Sequence, residues 1–213
     1  MRTLYLSYDG LTDGLGRSQI IPYLQGIADQ GHNITIISFE KPGRTDKEYA
    51  AIRDLLSQSG IVWHSLRYTA WPPVLSTVFD ILKLRHECRK LHAKESFDLV
   101  HCRSYITSMV GLHLKRRYGL KFIFDMRAFY ADERVDGGLW PQSSFVFRWI
   151  YRFFKRKEKE FLSEADHTIS LTNKGKEVIH SWEGISDQPI PIEVIPCCAD
   201  LNHFNRDRID AEK

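Results

Sequence analysis

"TDGLGRSQIIPYLQGIADQGHNITII", residues 12–37, places two glycines and an arginine between the end of one strand and the start of a helix. Ile20, Ile21, Leu24, Ile27 and Ala28 recur at helical spacing, Gly31 stops the helix, and the β-branched run that follows reads as a second strand. Strand, glycine turn, helix and strand in that order form a βα unit, because neighbouring parallel strands need a crossover. Pro22 then belongs to the helix's first turn, where its missing N–H costs nothing.

The same alternation continues along the chain. Short β-branched or aromatic runs at 3–7, 33–38, 61–66, 98–102, 121–125, 166–171 and 192–196 are separated by helical patterns at about 18–30, 46–59, 74–93, 104–118, 142–163 and 173–182. This predicts an α/β, Rossmann-like three-layer domain with a mostly parallel sheet of about seven strands. No repeat or low-complexity linker interrupts it, so residues 1–200 read as one domain. The polar tail, residues 201–213, reads as the start of a connection to a further domain.

Bulk composition limits what such a domain does. A chain of 213 residues with 43% hydrophobic content buries one substantial core. With 30 Lys and Arg against 27 Asp and Glu, the net charge of +3 excludes a uniformly cationic nucleic-acid binder, so useful positive charge must be local. Cys88, Cys102, Cys197 and Cys198 form neither a CxxC pair nor an even disulfide framework, which fits a reducing compartment. The adjacent Cys197 and Cys198 read as ordinary thiols near a strand end rather than a soft-metal site. No apolar run of membrane-spanning length and no signal-peptide pattern occurs, so the expected location is cytoplasmic.

Gly14 and Gly16 follow a strand and precede a helix, where free N–H groups and the helix dipole favour an anion, and Arg17 can add a bidentate contact. A dinucleotide reading would use Glu40, at the end of the second strand, for a ribose, but Gln19 stands where the third glycine of GxGxxG belongs. A turn that needs glycine and binds nothing is the plain alternative.

"GLGRSQIIPYLQGIADQGHNITII" resembles the first helix and following "GH-x-V-T-V" strand of family-4 glycosyltransferases of the GT-B architecture, and "VIPCCADLNHF" resembles that family's "VIPNGVDxxxF" signature. The resemblance implies one half of a GT-B fold: the N-terminal, acceptor-binding half of a retaining glycosyltransferase. Its missing partner would be the C-terminal domain, which holds most nucleotide-sugar contacts and a Glu-x7-Glu signature. The resemblance further implies no metal and no cofactor, with the nucleotide sugar as co-substrate and a sugar, lipid-linked or small-molecule acceptor. The chain alone is then expected to be inactive. Gly14, Gly16 and Arg17 become candidates for the donor diphosphate.

In an open parallel sheet, ligands lie beyond the carboxyl ends of the strands. Those ends bring Asp9 after the first strand, His101, Arg103 and Ser104 at the fourth, and "DMRAFYADERVDGGLW" from Asp125 at the fifth. Aromatic faces beside charges suit a sugar ring, so Asp9, Arg103, Ser104, Asp125, Tyr130 and Arg134 are expected acceptor contacts. Many family members carry a histidine where this chain has Arg127. Arginine is no base near neutral pH, so Arg127 is assigned charge stabilisation. His101 and Glu133 complete the expected catalytic set. The stretch from Asp125 to Trp140 is read as a long loop.

Residues 145–162, "FVFRWIYRFFKRKEKEFL", separate on a helical wheel. Arg148, Arg152, Lys155, Arg156 and Lys159 share one face, while Val146, Trp149, Ile150, Phe153 and Phe161 share the other. The apolar face is expected to cover the sheet, with peripheral contact to an anionic membrane as the competing reading. Nucleic acid is not expected, since the aromatics lie on the wrong face to stack bases.

Overall fold

Seven strands pair side by side in the order β3-β2-β1-β4-β5-β6-β7, every pair parallel, in a computed structural model that describes residues 1–72, 74–187 and 189–197. They are β1 (Arg2–Ser7), β2 (Asn33–Glu40), β3 (Val62–Arg67), β4 (Leu99–Arg103), β5 (Lys121–Asp125), β6 (His167–Ser170) and β7 (Ile192–Val194). All seven strands expected from the sequence are present. The "VIPCCADLNHF" motif beyond Cys197, Cys198 itself and the connection at 201–213 lie outside the described residues.

Helices cover both faces, as a parallel sheet requires. They are α1 (Ile21–Ala28), α2 (Asp46–Gln58), α3 (Leu75–Glu95), α4 (Ser104–Tyr118), α5 (Tyr130–Asp136), α6 (Phe145–Glu164) and α7 (Asn173–His180). Side chains alternate along each strand, so the sheet divides the apolar residues into two cores. Leu4, Leu6, Val100, Cys102, Phe122 and Phe124 pack with residues of α3, α4 and α6, whereas Tyr5, Ile34 and Ile36 pack with Ile21 and Leu24 of α1 and Ile52 and Leu56 of α2. Helices α1 and α4 therefore leave adjacent strands, β1 and β4, towards opposite faces. That divergence opens a crevice at the strands' carboxyl ends.

Two details differ from the pattern in the sequence. The first helix is not uniform: a π-helical turn, Gly16–Ile20, runs into α1, with Pro22 in the first turn of α1. The stretch after β5 is not a long loop, since Tyr130–Asp136 folds as α5. Its seven residues are too few to display a helical period among so many charges.

Candidate functional site

Strand register sets the floor of the crevice. Ser7 pairs with Arg103, Arg103 with Asp125 and Asp125 with Ile169, so these residues form one row across the sheet at its carboxyl edge. Tyr5, His101 and Ile123 form the row two residues behind, on the same face. Above this edge lies a cleft of about 370 Å³, walled by Tyr5, Ser18, Gln19, Tyr23, Arg103, Asp125, Arg127, Ile169 and Cys197.

The backbone leaves the floor under strain. Ser104 (φ 69°) begins α4 directly after β4, and Arg127 (φ 59°) follows β5 by two residues. A side chain in the left-handed region costs of order 1–3 kcal/mol, and such residues gather where geometry matters more than stability.

Gln19 ties the two arginines together. Its Oε1 accepts from Arg127 Nη2 at 2.9 Å and from Arg103 Nη2 at 3.4 Å. Arg127 Nη2 also lies 3.2 Å from Cys197 Sγ, and its Nη1 lies 3.8 Å from Asp125 Oδ1. Arg103 Nε reaches Asp9 Oδ2 at 3.3 Å. Burial opposes the Arg103 charge, but Tyr5, Asp125 and Asp9 outweigh it and hold the pKa above the usual arginine value. Burial, followed by the Asp125 charge, pushes the Tyr5 phenol upward, so it remains a neutral hydroxyl on the cleft wall.

His101 and Asp125 form a buried pair under the floor, with His101 Nε2 3.6 Å from Asp125 Oδ2. His101 Nε2 and Asp125 Oδ1 have no hydrogen-bond partner among the described residues. Buried polar atoms are nearly always satisfied, so a His101 Nε2 without a hydrogen bond, beside an Asp125 Oδ1 that has only the longer contact to Arg127 Nη1, marks a place where geometry is held for something other than folding. Tyr5 packs on His101 at 4.7 Å between ring centroids, shielding it from the cleft. His101 is thus a supporting residue beneath the cleft rather than a group on its wall.

The bare glycine loop already holds an anion, and it is internal. Glu40, only 1% exposed, accepts from Leu11 N at 2.8 Å, Thr12 N at 3.1 Å, Thr12 Oγ1 at 2.6 Å and Ser38 Oγ at 2.7 Å. The carboxylate that a dinucleotide reading would give to a ribose is consumed by the protein itself, which removes the residue on which that reading rests. Gly16 is bare because the loop packs on itself: a Cβ there would lie 2.3 Å from Gly10 O and 2.5 Å from Leu11 Cα. Gly14 has open space around it, and exposed Arg17 lies 3.7 Å from Glu48. Ser18 and Gln19, one turn further, are the residues of this segment that line the cleft.

Beyond β5 the residues divide. Tyr130 is enclosed by aromatic rings, at 5.3 Å from Tyr105, 5.1 Å from Phe154 and 5.8 Å from Trp140, with the Arg134 guanidinium 4.9 Å from its centroid. Asp132 is held by the Tyr151 hydroxyl at 2.8 Å and Lys155 Nζ at 2.9 Å. Glu133 is exposed on α5. The structure therefore gathers Asp9, Arg103, Asp125 and Arg127 at one place, and Tyr130, Glu133 and Arg134 at another. Gln19, Tyr23 and Cys197 join the first group, although the sequence reading gave them no role. The one available signal was Gln19 itself, a polar residue opening an otherwise apolar helical stripe next to strand ends.

Helix α6 departs from the expected division. Its buried stripe is Ile150, Phe154, Glu158, Phe161 and Leu162, so Val146 and Trp149 stay exposed rather than covering the sheet. Lys155 turns inward to Asp132 and Glu158 and lies 4.6 Å from the Trp182 ring centroid. Among the described residues no helix is long and apolar enough to cross a membrane.

Solved structures share this fold at low identity. A sucrose-phosphate synthase from Thermosynechococcus elongatus superimposes with a TM-score of 0.59 at 14% identity, over 95% of this chain and 49% of its own. A glycosyltransferase from Rickettsia africae gives 0.53 at 16%, over 99% and 47%. Anabaena HepE, solved with UDP and glucose, gives 0.54 at 13%, over 95% and 46%. The chain thus spans about half the length of these proteins. No curated protein matches the sequence. The family model described as Glycosyltransferase Family 4 matches residues 22–203, and by that match this chain, one Rossmann-like half of the GT-B architecture, belongs to Glycosyltransferase Family 4.

Proposed function

We propose that the chain is the N-terminal, acceptor-binding half of a retaining glycosyltransferase that moves a sugar from a nucleotide-sugar donor to a sugar, lipid-linked or small-molecule acceptor. The nucleotide sugar enters as co-substrate, without metal or other cofactor. A C-terminal domain supplies most of the donor site, so this half alone does not turn over, because both substrates must be positioned together.

The observation that carries this reading is the convergence of Arg103 and Arg127 on Gln19 in a cleft at the sheet's switch point. Two fixed guanidinium groups suit the charge that develops on a leaving diphosphate or sits on an acceptor, and being held in advance they need no reorganisation during reaction. In this reading Arg127 stabilises charge, and Asp125 and His101 hold it from below. Asp9, Arg103 and Ser104 at the strand ends form the acceptor side, joined by Gln19, Tyr23 and the Tyr5 hydroxyl. Gly14 and Arg17 meet the donor phosphates from the glycine loop, whose close packing Gly16 provides. Glu133, Tyr130 and Arg134 border the site on α5. The protein works in the cytoplasm, with α6 resting on the inner face of an anionic membrane.

The test is release of nucleoside diphosphate by the full-length gene product against a panel of nucleotide sugars. Release with one donor that falls at least a hundredfold in Arg127→Ala supports the reading. Release with no donor, or release untouched by Arg127→Ala and Arg103→Ala together, rejects it.

A further inference from the structure

Helix α3 packs with its polar side inward over its first half. Asp80, fully buried, accepts from the Tyr8 hydroxyl at 3.1 Å, Thr69 N at 3.0 Å, Thr69 Oγ1 at 2.8 Å and Lys83 Nζ at 3.0 Å. Leu84, Cys88 and Leu91 continue the same buried stripe into the core. This fixes the helix about its axis and forces Leu75, Val78, Phe79 and Leu82 into solvent, each about half exposed or more, beside Trp71 at 78%. An outward patch of this kind on a fixed scaffold marks a docking surface.

Helix α6 repeats the pattern. Phe145, at 75% exposed, and Trp149, at 62%, stand outside while Ile150 and Phe154 anchor the helix. Both helices follow strands of a parallel sheet and flank the buried α4, so both begin at the rim onto which the cleft opens.

Charge along the two helices is ordered as well. Beyond Leu82 the exposed charged positions of α3 are Arg89, Lys90 and Lys94, and those of α6 are Arg148, Arg152, Arg156 and Lys159. No exposed position of either helix is acidic. Seven residues separate Leu82 from Arg89 and Trp149 from Arg156, or about 10 Å along each axis. That matches the step from the acyl boundary of a bilayer to its headgroups, into which an interfacial helix sinks roughly 5–10 Å. Arg152 falls within the interval, with a stem long enough to carry its head to the phosphates, whereas Arg148 lies on the rim side of Trp149 and donates to Gln142 O at 3.2 Å.

We propose that α3, together with the Trp71 segment before it, is a membrane-insertion surface that docks the protein rim-down on an anionic bilayer, with α6 as the second support. The inference rests on the α6 contact proposed above and adds α3 as the deeper anchor. It does not depend on the transfer chemistry. Apolar side chains at the rim enter the bilayer while the basic positions behind them bind anionic headgroups, so the cleft opens at the membrane plane.

The test is sedimentation of the protein with vesicles of phosphatidylcholine and phosphatidylglycerol, and with phosphatidylcholine alone. Sedimentation is expected with the anionic vesicles and strongly reduced by high salt. Leu75→Ser with Phe79→Ser should lower partitioning at least tenfold, and Phe145→Ser with Trp149→Ser should lower it separately. These side chains are exposed, so thermal unfolding should stay unchanged and report that both variants fold. Loss in the α6 pair with no loss in the α3 pair overturns this inference and leaves the α6 contact standing. No sedimentation of the parent overturns both. A lipid-free dimer that the α3 pair dissolves, with vesicle binding unaltered, assigns the patch to a second copy and also overturns it.

Discussion

Gln19 Oε1 accepts from Arg127 Nη2 at 2.9 Å, joining residues 108 positions apart across the mouth of the cleft. The same oxygen receives Arg103, so one neutral amide fixes two cations without cancelling either charge. Gln19→Ala should release both. A hydrogen bond to a charged group contributes about 1.5–3 kcal/mol, and 1.4 kcal/mol is tenfold in rate. Nucleoside diphosphate release by the full-length enzyme should fall about 10- to 100-fold, while the melting temperature of this half-buried position shifts by no more than a few degrees. Unchanged turnover would mean that the arginines hold their places without the amide.

Glu40 should be structural rather than catalytic. Glu40→Ala strands the Leu11 and Thr12 N–H groups and two hydroxyls in the interior, where each unmet donor costs about 1–3 kcal/mol. Urea denaturation should show a loss of about 3–5 kcal/mol, larger than for Glu40→Gln, which keeps an acceptor. A loss under 1 kcal/mol would contradict the internal-anion account of the loop.

Gly16 and Gly14 should separate sharply. Gly16→Ala drives a Cβ into Gly10 O and Leu11 Cα, backbone atoms that cannot step aside, and should lower stability by several kcal/mol. Gly14→Ala meets nothing within 4 Å and should stay within about 0.5 kcal/mol of the parent. Any effect of Gly14→Ala on nucleotide-sugar turnover would then come from the ligand side, which thermal shift and kinetics on one preparation decide.

Two carboxylates should give opposite pH slopes. Burial raises the Glu158 pKa above its ordinary 4.5, although Lys155 and Tyr105 donate to it. A proton held more tightly in the folded state makes stability fall as pH rises from 4.5 toward the folded value, so Glu158→Gln should gain on the parent across that interval. For Asp166 burial works upward, but bonds from Lys115, Phe122 N and Lys121 outweigh it and set the pKa below 3.8. Its contribution is present above 3.8 and is lost as pH falls through the lower folded value. Asp166→Asn should therefore cost stability at neutral pH, with the difference from the parent shrinking as pH falls below 3.8, read as denaturant midpoints across a pH series.

The strands were readable because a parallel sheet covered on both faces writes itself as short apolar runs, and "FIFD" or "LVHC" cannot be much else. Helix α5 was not, because Tyr130–Asp136 carries charges on every turn and is held by rings from α4 and α6 that lie far along the chain. The outward set of α3 was hidden for a related reason. Apolar residues at helical spacing normally point inward, but in α3 the Asp80 network, drawing on Tyr8 and Thr69, and the Leu84, Cys88 and Leu91 stripe turn a different face to the core. Of the cleft, the strand-end residues Asp9, Arg103, Asp125 and Arg127 were legible from position alone. Gln19 is hidden from such a reading, because a glycine fingerprint marks its position only as a missing glycine and says nothing of the amide.

Ser104 and Arg127 hold left-handed backbone at the ends of neighbouring strands. Glycine at either position would relieve the strain and raise the melting temperature. At Ser104 it would also loosen the turn directly after Arg103, and at Arg127 it would remove the guanidinium that reaches Gln19. Heat tolerance and cleft geometry therefore compete at these two residues, and a thermostabilising library that selects on melting temperature alone should converge on glycine there and return well-folded proteins with a slack site.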